Sequence, residues 1–477
     1  LIYFIEREAL KVKGNCTVIL AAGDGVRMKS SKPKVLAEVL FKPMIDWVID
    51  CALDCGFDES DICVVTGHGR ELLNGHLPSG VQTVVQEERL GTGHAVMRAQ
   101  PFIEANSYSN VLVLNGDSPM VDGETLKLAF EYHMRSGNAA TVISANVENP
   151  TGYGRIKRNS DGIFEKIVEE KDADENEKNI TEVNSGAYWF GCRALLVALD
   201  KLKTDAKYRL NAAKEYYLTD AVEILKSMGQ RAATFNSKNS DAVLGANDRL
   251  QLMRLNEKAR MRVLEAHMKN GVSVPFADGV IIGPDVVIGA DTEILPGTTI
   301  KGKTVIGRGC VVGSNSCIES CVIGDEAVIT SSHCSEAEIS AGAAVGPFAR
   351  IRPGTKIDSG ARIGNFVEVK NSSIGEGTKI SHLSYIGDSD IGTGVNIGSG
   401  CATVNYSGKE KFRTVIEDGA FIGCDTSLVA PVKVGENAYT AAGSTITEDV
   451  PANSLAVARE RQVNKKDWVK SKKPYRK

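Results

Sequence analysis

Apolar residues never run on for the roughly 18 positions that a membrane-spanning helix needs. Net charge is equally scarce: 56 Lys and Arg against 60 Asp and Glu leave −4 at pH 7, with a pI near 6.1. That balance excludes a global basic field able to gather nucleic acid or an anionic membrane surface. The exception is the tail, residues 465–477, with seven Lys or Arg against one Asp. No Cys-x-x-Cys pair occurs among the 11 cysteines, which argues against a zinc site. Cys16, Cys63, Cys192, Cys310 and Cys317 stand among apolar neighbours and read as small buried hydrophobes in a reducing, cytoplasmic setting. No Gly-x4-Gly-Lys-Ser/Thr string is found, so no P-loop is encoded. Residues 1–14 lack a cleavable signal pattern and read as a fragment start or an extension outside the core.

What the chain does have is two halves written in different periods. Its 477 residues and 42% hydrophobic content allow two to four domains. In the first half, short β-branched runs at 17–20, 62–66, 81–86 and 111–114 alternate with helical patterns such as 44–55 and 124–136. That alternation predicts an α/β domain of Rossmann-like type, a mostly parallel sheet covered by helices. Ligands of such sheets bind beyond the carboxyl ends of the strands. From about Gly271 the period becomes six, with branched anchors at Ile282, Ile288, Ile294, Ile300, Ile306, Val312 and Ile318. After a slip it resumes from Ile339 to Val369, and again from Ile416 to Ile446. Period six fits neither an α-helix nor a plain strand; it fits a hexapeptide-repeat solenoid of about ten coils. Between the halves, 251–269 has no Gly or Pro and strong helix propensity.

The first strand runs into Leu20-Ala21-Ala22-Gly23-Asp24-Gly25-Val26-Arg27-Met28, followed by Pro33-Lys34. Small residues let backbone N–H groups approach a phosphate, and Arg27 and Lys34 can neutralise others. A dinucleotide fingerprint is excluded because Met28 stands at its third glycine. A bare Gly-x-Gly is usually a turn; the whole string resembles the signature of sugar-1-phosphate nucleotidyltransferases. Strand 111–114 ends in Asn115-Gly116-Asp117, which puts a carboxylate at the ligand edge, suited to magnesium. Asp117 read alone is a common turn former, and Asn184 or Asn247 alone a loop polar.

The fuller resemblance, from about Cys16 onward, is to the bifunctional N-acetylglucosamine-1-phosphate uridyltransferase/glucosamine-1-phosphate acetyltransferase family. The strings Gln86-x4-Gly91-Thr92-Gly93-His94-Ala95, Thr151-Gly152-Tyr153-Gly154-Arg155-Ile156, Ile167-Val168-Glu169-Glu170-Lys171, Asn184-Ser185-Gly186 and Tyr216-Tyr217-Leu218-Thr219-Asp220 carry it in the first half. The resemblance implies that Leu20, Ala21, Ala22, Gly23 and Lys34 line the UTP site, and that Gln86, Gly91 and Thr92 read uracil. It implies that Gly154, Glu169 and Asn184 contact the sugar, that Asn247 completes the nucleotide-sugar site, and that Asp117 and Asn247 hold Mg2+. Arg27 and Lys34 are the expected catalytic cations, and His94 is given no catalytic role. Asn115 departs from relatives that carry an aromatic residue there.

In the second half, Arg350-Ile351-Arg352-Pro353-Gly354, Gly364-Asn365-Phe366-Val367-Glu368-Val369-Lys370, Ile380-Ser381-His382-Leu383-Ser384-Tyr385, Asn396-Ile397-Gly398 and Asn405-Tyr406 match the acetyltransferase half. A lone histidine in a solenoid is more often structural. An imidazole nevertheless suits the task of deprotonating a sugar amine for attack on a thioester. The resemblance implies His382 as that base, with Arg352, Lys370, Tyr385, Asn396 and Asn405 on glucosamine 1-phosphate. Acetyl-CoA would meet Ser399, Asn405, Tyr406, Cys424, Ala442 and Arg459. Ser399 and Cys424 stand where relatives often carry Ala and Ser; Cys424 is expected to be a buried small thiol without catalytic work. Residues 405–414 break the six-residue beat and predict a loop over the site.

The expected layout is an extension (1–14), a uridyltransferase domain (15–250), a linker helix (251–271), a left-handed parallel β-helix acetyltransferase domain (272–460) and a basic tail (461–477). The tail, with Trp468, is either a solvated end or a segment packing at a neighbouring subunit's CoA site. The expected partners are small molecules only: UTP, N-acetylglucosamine 1-phosphate, glucosamine 1-phosphate and acetyl-CoA, with no nucleic acid and no membrane. The resemblance further implies a cytoplasmic homotrimer that makes UDP-N-acetylglucosamine for peptidoglycan and lipopolysaccharide. Two rival readings are a monofunctional pyrophosphorylase whose β-helix only oligomerises, and an inactive regulatory protein. The set Arg352, Lys370, His382 and Tyr385 argues against the first, and Arg27, Lys34, Asp117 and His382 against the second.

Overall fold

The computed structural model describes residues 14–23, 25–205, 207–208 and 215–472. Asp24, nearly all of the 1–14 extension and the last five tail residues therefore lie outside the described residues. The chain divides into two compact units, one ending at Ala259 and the other beginning at Arg260. The division falls within a 21-residue helix, Arg249–Lys269.

The first unit is built on a nine-stranded sheet. Its strands are β1 (Asn15–Ala21), β2 (Ile62–Thr66), β3 (Gln82–Val85), β4 (Asn110–Asn115), β5 (Ala140–Asn146), β6 (Arg155–Arg158), β7 (Phe164–Val168), β8 (Glu182–Gly191) and β9 (Ala232–Ser237). The main path runs β9-β5-β8-β4-β1-β2-β3, with β6 and β7 a hairpin hung on β8. Strands β4, β1, β2 and β3 are mutually parallel. Helices cover both faces of this block, so Val18, Ile19, Val64, Val65, Val111 and Leu112 are all buried and their strands read as continuous apolar runs. The covering helix Met44–Asp54 turns Ile45, Val48, Ile49 and Ala52 inward, the spacing of one helical face, and the chain leaves it through Gly56 at φ 96°. Because β8 is antiparallel to β4, with Tyr188 opposite Val113, its starting residues Val183–Gly186 come to the edge where β4 ends. The carboxyl ends of β1 to β4 and the beginning of β8 thus share one rim.

The second unit is a solenoid with three flat faces, of ten, nine and ten strands, each face a ladder of parallel strands. The faces follow in chain order: the first begins at Ile281–Ile282, the second at Val287–Ile288, the third at Glu293–Ile294. Every anticipated anchor from Ile282 to Ile446 is buried, and Ile374, Ile380, Ile386, Ile391, Ile397 and Thr403 continue the series. Together they make one axial core, as expected of a left-handed hexapeptide β-helix. The slip resolves into steps of five instead of six, from Ile318 to Ile323, Ile329 to Cys334 and Cys334 to Ile339. At each of these corners one residue takes a left-handed conformation: Ser320, Ser331 and Glu336, at φ 52°, 43° and 46°. Cys317 departs from its expected burial. It precedes the inward Ile318 on a strand, so alternation turns it outward and leaves it half-buried.

Two candidate active sites

The rim of the first sheet collects residues far apart in the chain. After β1, Gly25 turns the loop at φ 58°, and a Cβ there would lie 2.6 Å from the Lys34 Cβ, so only glycine lets Lys34 fold back against the loop. The Lys34 ammonium is bonded to the Asp117 carboxylate and donates to Asn247 Oδ1 at 2.7 Å. A Cβ on Gly245 would lie 2.7 Å from the Asp117 carbonyl, so the loop carrying Asn247 rests on the end of β4. Leu20, Ala21, Ala22 and Gly23 run along this rim, and the Leu20 carbonyl accepts from Gly116 N–H at 2.9 Å. Arg27 is exposed on a short 3-10 turn, Val26–Met28.

On one side of the rim, Gln86 follows β3, is buried, and donates through Nε2 to the Gly91 carbonyl at 3.1 Å. The same nitrogen lies 3.1 Å from His94 Nδ1, which gives His94 a supporting contact. Gly91 has φ 94°, and a Cβ would meet the Tyr216 carbonyl at 2.5 Å, because Tyr216–Leu218 docks there and Leu218 N–H donates to Thr92 Oγ1 at 3.1 Å. On the other side, Asn184 N–H donates to the Gly154 carbonyl at 2.8 Å. A Cβ on Gly154 would come within 3.4 Å of Glu169 Oε2 and 3.6 Å of the Asn184 Cβ, so these three converge. Burial raises the Glu169 carboxyl above the usual range, partly offset by the Thr219 hydroxyl that donates to it at 2.9 Å. Burial, then the nearby Glu223 and Glu169 carboxylates, push Asp220 up to about 6. The departure at Asn115 has a visible partner: a Cβ on Gly186, at φ 76°, would sit 2.0 Å from Asn115 Nδ2.

Coil stacking builds the second constellation. His382 ends a third-face strand directly above Asn365, and its Nδ1 lies 2.7 Å from Asn365 Oδ1. On the first face, Arg352 pairs with Glu368 at 2.8 Å, while Lys370 stands 3.7 Å from Asp388. Tyr385 pairs with Glu368 in the ladder. A Cβ on Gly387 would lie 2.5 Å from the Tyr385 hydroxyl and 2.8 Å from Asn405 Nδ2, so both side chains lie over that glycine. Residues 405–413 leave the coil as a small hairpin, closed by Phe412 N–H on the Asn405 carbonyl at 2.9 Å and by a Tyr406–Lys411 bridge. Asn396 begins a third-face strand one coil after His382. Beyond that face, Ser399, Cys424 and Ala442 stack at one corner in successive coils: Asp425 N–H donates to the Ser399 carbonyl at 2.7 Å, and a Cβ on Gly423 would lie 2.6 Å from Ala442 N. Arg459 reaches the same corner, 3.8 Å from where a Gly443 Cβ would be. Cys424 is exposed and not buried, because its position lies in the corner and not at an inward anchor.

Sequence reasoning missed the partners that hold these groups: Thr219 on Glu169, Asn365 on His382, Glu368 on Arg352, and Asp388 on Lys370 and Asn405. For the solenoid a signal existed, since Asn365 and His382 lie 17 residues apart, as do Asp388 and Asn405.

A mixed, largely parallel α/β sheet with Lys34, Asp117 and Asn247 gathered at its rim, followed by a hexapeptide solenoid, defines a two-domain transferase. Residues 16–241 match the family model described as Nucleotidyl transferase. Residues 413–448 match that described as Bacterial transferase hexapeptide (six repeats), and 303–331 that described as Hexapeptide repeat of succinyl-transferase. Over 452 residues the chain is 47% identical to the Bifunctional protein GlmU of Geobacillus sp. (strain WCH70), covering 95% of this chain and 97% of that protein. It is 48% identical over 453 residues to the Bifunctional protein GlmU of Carboxydothermus hydrogenoformans, covering 95% and 99%. The chain belongs to the GlmU family of bifunctional proteins. It is an enzyme with two activities, glucosamine-1-phosphate N-acetyltransferase and UDP-N-acetylglucosamine diphosphorylase.

Proposed function

We propose that the rim of the first sheet transfers UMP from UTP to N-acetylglucosamine 1-phosphate, and that the first and third faces of the solenoid, with the corners beside them, acetylate glucosamine 1-phosphate. The observation that carries the first assignment is the convergence of Lys34, Asp117 and Asn247 at the end of β4. The sugar-phosphate oxygen attacks the α-phosphorus of UTP in line; the bond to the bridging oxygen breaks and pyrophosphate leaves. The backbone from Leu20 to Gly23 cradles phosphates, Arg27 and Lys34 neutralise the charge that accumulates, Gln86, Gly91 and Thr92 select uracil, and Gly154, Glu169 and Asn184 orient the sugar. The donor set suits Mg2+: one carboxylate and one amide oxygen already converge on a cation, and magnesium takes one or two protein oxygens and completes its shell with phosphate and water. Asp117 and Asn247 would hold it, and the bound ion would supply charge neutralisation between the two phosphates.

At the second site, the Asn365 side-chain Oδ1 accepts from His382 Nδ1–H, a tautomer that leaves Nε2 as the base. As the C2 amine attacks the acetyl carbonyl, His382 takes its proton; the C–S bond then breaks and the proton passes to the departing CoA sulfur. Arg352 and Lys370 hold the sugar phosphate, Tyr385, Asn396 and Asn405 surround the sugar, and Ser399, Tyr406, Cys424, Ala442 and Arg459 line the acetyl-CoA path. A column of exposed apolar side chains, Phe348, Phe366 and Leu383, runs along one corner; the two phenyl rings stack 5.6 Å apart at 11°. That column supports assembly as a homotrimer. No described helix is long and apolar enough to cross a membrane. The need for UTP and acetyl-CoA supports a cytoplasmic enzyme. A coupled assay with glucosamine 1-phosphate, acetyl-CoA, UTP and Mg2+, omitting each in turn, tests the whole. UDP-N-acetylglucosamine should require all four. If N-acetylglucosamine 1-phosphate yields nucleotide sugar while no free thiol ever appears, the solenoid is a scaffold only.

A further inference from the structure

Among the groups the mechanism leaves unused, Asp388 is the most constrained. It sits at a five-residue corner of the solenoid with φ 49°, and its side chain is 7% exposed. One carboxylate oxygen accepts from Asn371 Nδ2 at 2.6 Å and the other from Asn405 Nδ2. Lys370 stands 3.7 Å away. Burial alone would raise this carboxyl, but the two amide donors and the Lys370 charge hold it below the usual carboxylate range. It therefore remains an anion that can only accept.

Resting on the site assignment above, we infer that Asp388 is a positioning residue that fixes which end of the Asn405 amide faces the sugar. An amide beside an ionised carboxylate must turn its NH2 toward it, and the planar group then presents Oδ1 on the opposite side. Asn405 is the residue assigned to both glucosamine 1-phosphate and acetyl-CoA, so it stands where the two substrates meet, at the C2 amine. Its fixed carbonyl accepts an N–H of that amine and turns the nitrogen lone pair toward the thioester. Gly387 supplies the floor: any Cβ there would collide with the Tyr385 hydroxyl and the Asn405 amide.

Asp388→Asn keeps the shape but removes the charge that sets the amide. The KM for glucosamine 1-phosphate should rise roughly tenfold, the loss of one oriented hydrogen bond. Inhibition by 2-deoxyglucose 1-phosphate, which keeps the phosphate but has no group at C2, should be unchanged or stronger, since Lys370 loses its neighbouring anion. A general loosening of the pocket would weaken both ligands, and that outcome overturns the inference, as does an unchanged KM. Asn405→Ala in the same series separates the two levels. If it leaves the glucosamine 1-phosphate KM unchanged, the site assignment itself fails; if it raises KM while Asp388→Asn does not, only the role of Asp388 falls. Should Asp388→Asn not fold, seen as loss of the wild-type thermal transition of the second unit, Asn371→Leu gives an independent test. It removes the other amide but leaves Asn405 engaged, so glucosamine 1-phosphate KM should stay within twofold of wild type; a tenfold rise would mean that packing, and not amide orientation, governs the pocket.

Discussion

The two units assemble active sites by opposite means. In the first, Lys34, Asp117 and Asn247 lie 83 and 130 residues apart along the chain and meet only because a sheet brings its strand ends to one rim. In the second, neighbours in the site are neighbours in the ladder, one coil of 16 or 17 residues apart. The sheet's site is thus as cooperative as the whole unit, whereas the solenoid's site depends on a few adjacent coils. Substitutions can break or sharpen that contrast.

The largest expected effect is at Asp117→Ala, which should lower uridylyl transfer on the order of 10³-fold while acetylation, followed by thiol release, is unchanged. His382→Ala should do the converse, lowering acetylation by roughly 10²–10⁴-fold with uridylyl transfer intact. Loss of both activities in either folded variant would end the picture of independent sites. Ile363→Ala opens a cavity in the solenoid core, where Ile363 is 1% exposed, and should cost about 2–5 kcal/mol. Denaturation of the full chain should show an earlier transition for the second unit alone; a uniform shift of every transition would deny the nearest-neighbour behaviour.

The smallest expected effect concerns pH and belongs to the first unit. Burial holds His133, which lies 2.9 Å from the Thr141 hydroxyl, down to about 4 against an ordinary 6.5. Below pH 6.5 the unfolded chain takes a proton that the folded one refuses, so stability present above 6.5 is lost as pH falls toward 4. Between pH 7 and 5 the loss should be about 2 kcal/mol, read from urea midpoints of the first unit. His133→Gln should flatten that slope; an unchanged slope would assign it to other groups.

How much of this was legible in the sequence differs between the halves in the same sense. Strands and helices of the first unit follow from buried apolar runs and amphipathic faces, as at 62–66 and 44–54. That Asn184 would face Asp117's rim could not be read from residue types, because it depends on β8 running antiparallel. In the solenoid, period six exposes the inward anchors, yet says nothing of Asp388, since polar partnership across coils depends on whether a coil has 16, 17 or 18 residues. The five-residue steps at Ser320, Ser331, Glu336, Asn371 and Asp388 set that length, and they hide behind side chains that tolerate a left-handed backbone. The exposure of Cys424 has the same origin: corner and anchor positions differ by one or two residues.

The hairpin at 405–413 carries a final consequence. Thirteen positions separate Thr403 from Ile416, where five separate Ile386 from Ile391, yet Ser389 still pairs with Thr414 and Thr403 with Leu428. The ladder re-enters in register as though nothing had been inserted. Such a corner is an interchangeable socket: segments of other length and chemistry could be spliced between Tyr406 and Lys411, inside the bridge that closes the hairpin, without asking the scaffold to refold. New acceptor preferences could therefore be grafted onto this solenoid at one place, at little cost to the coils beneath.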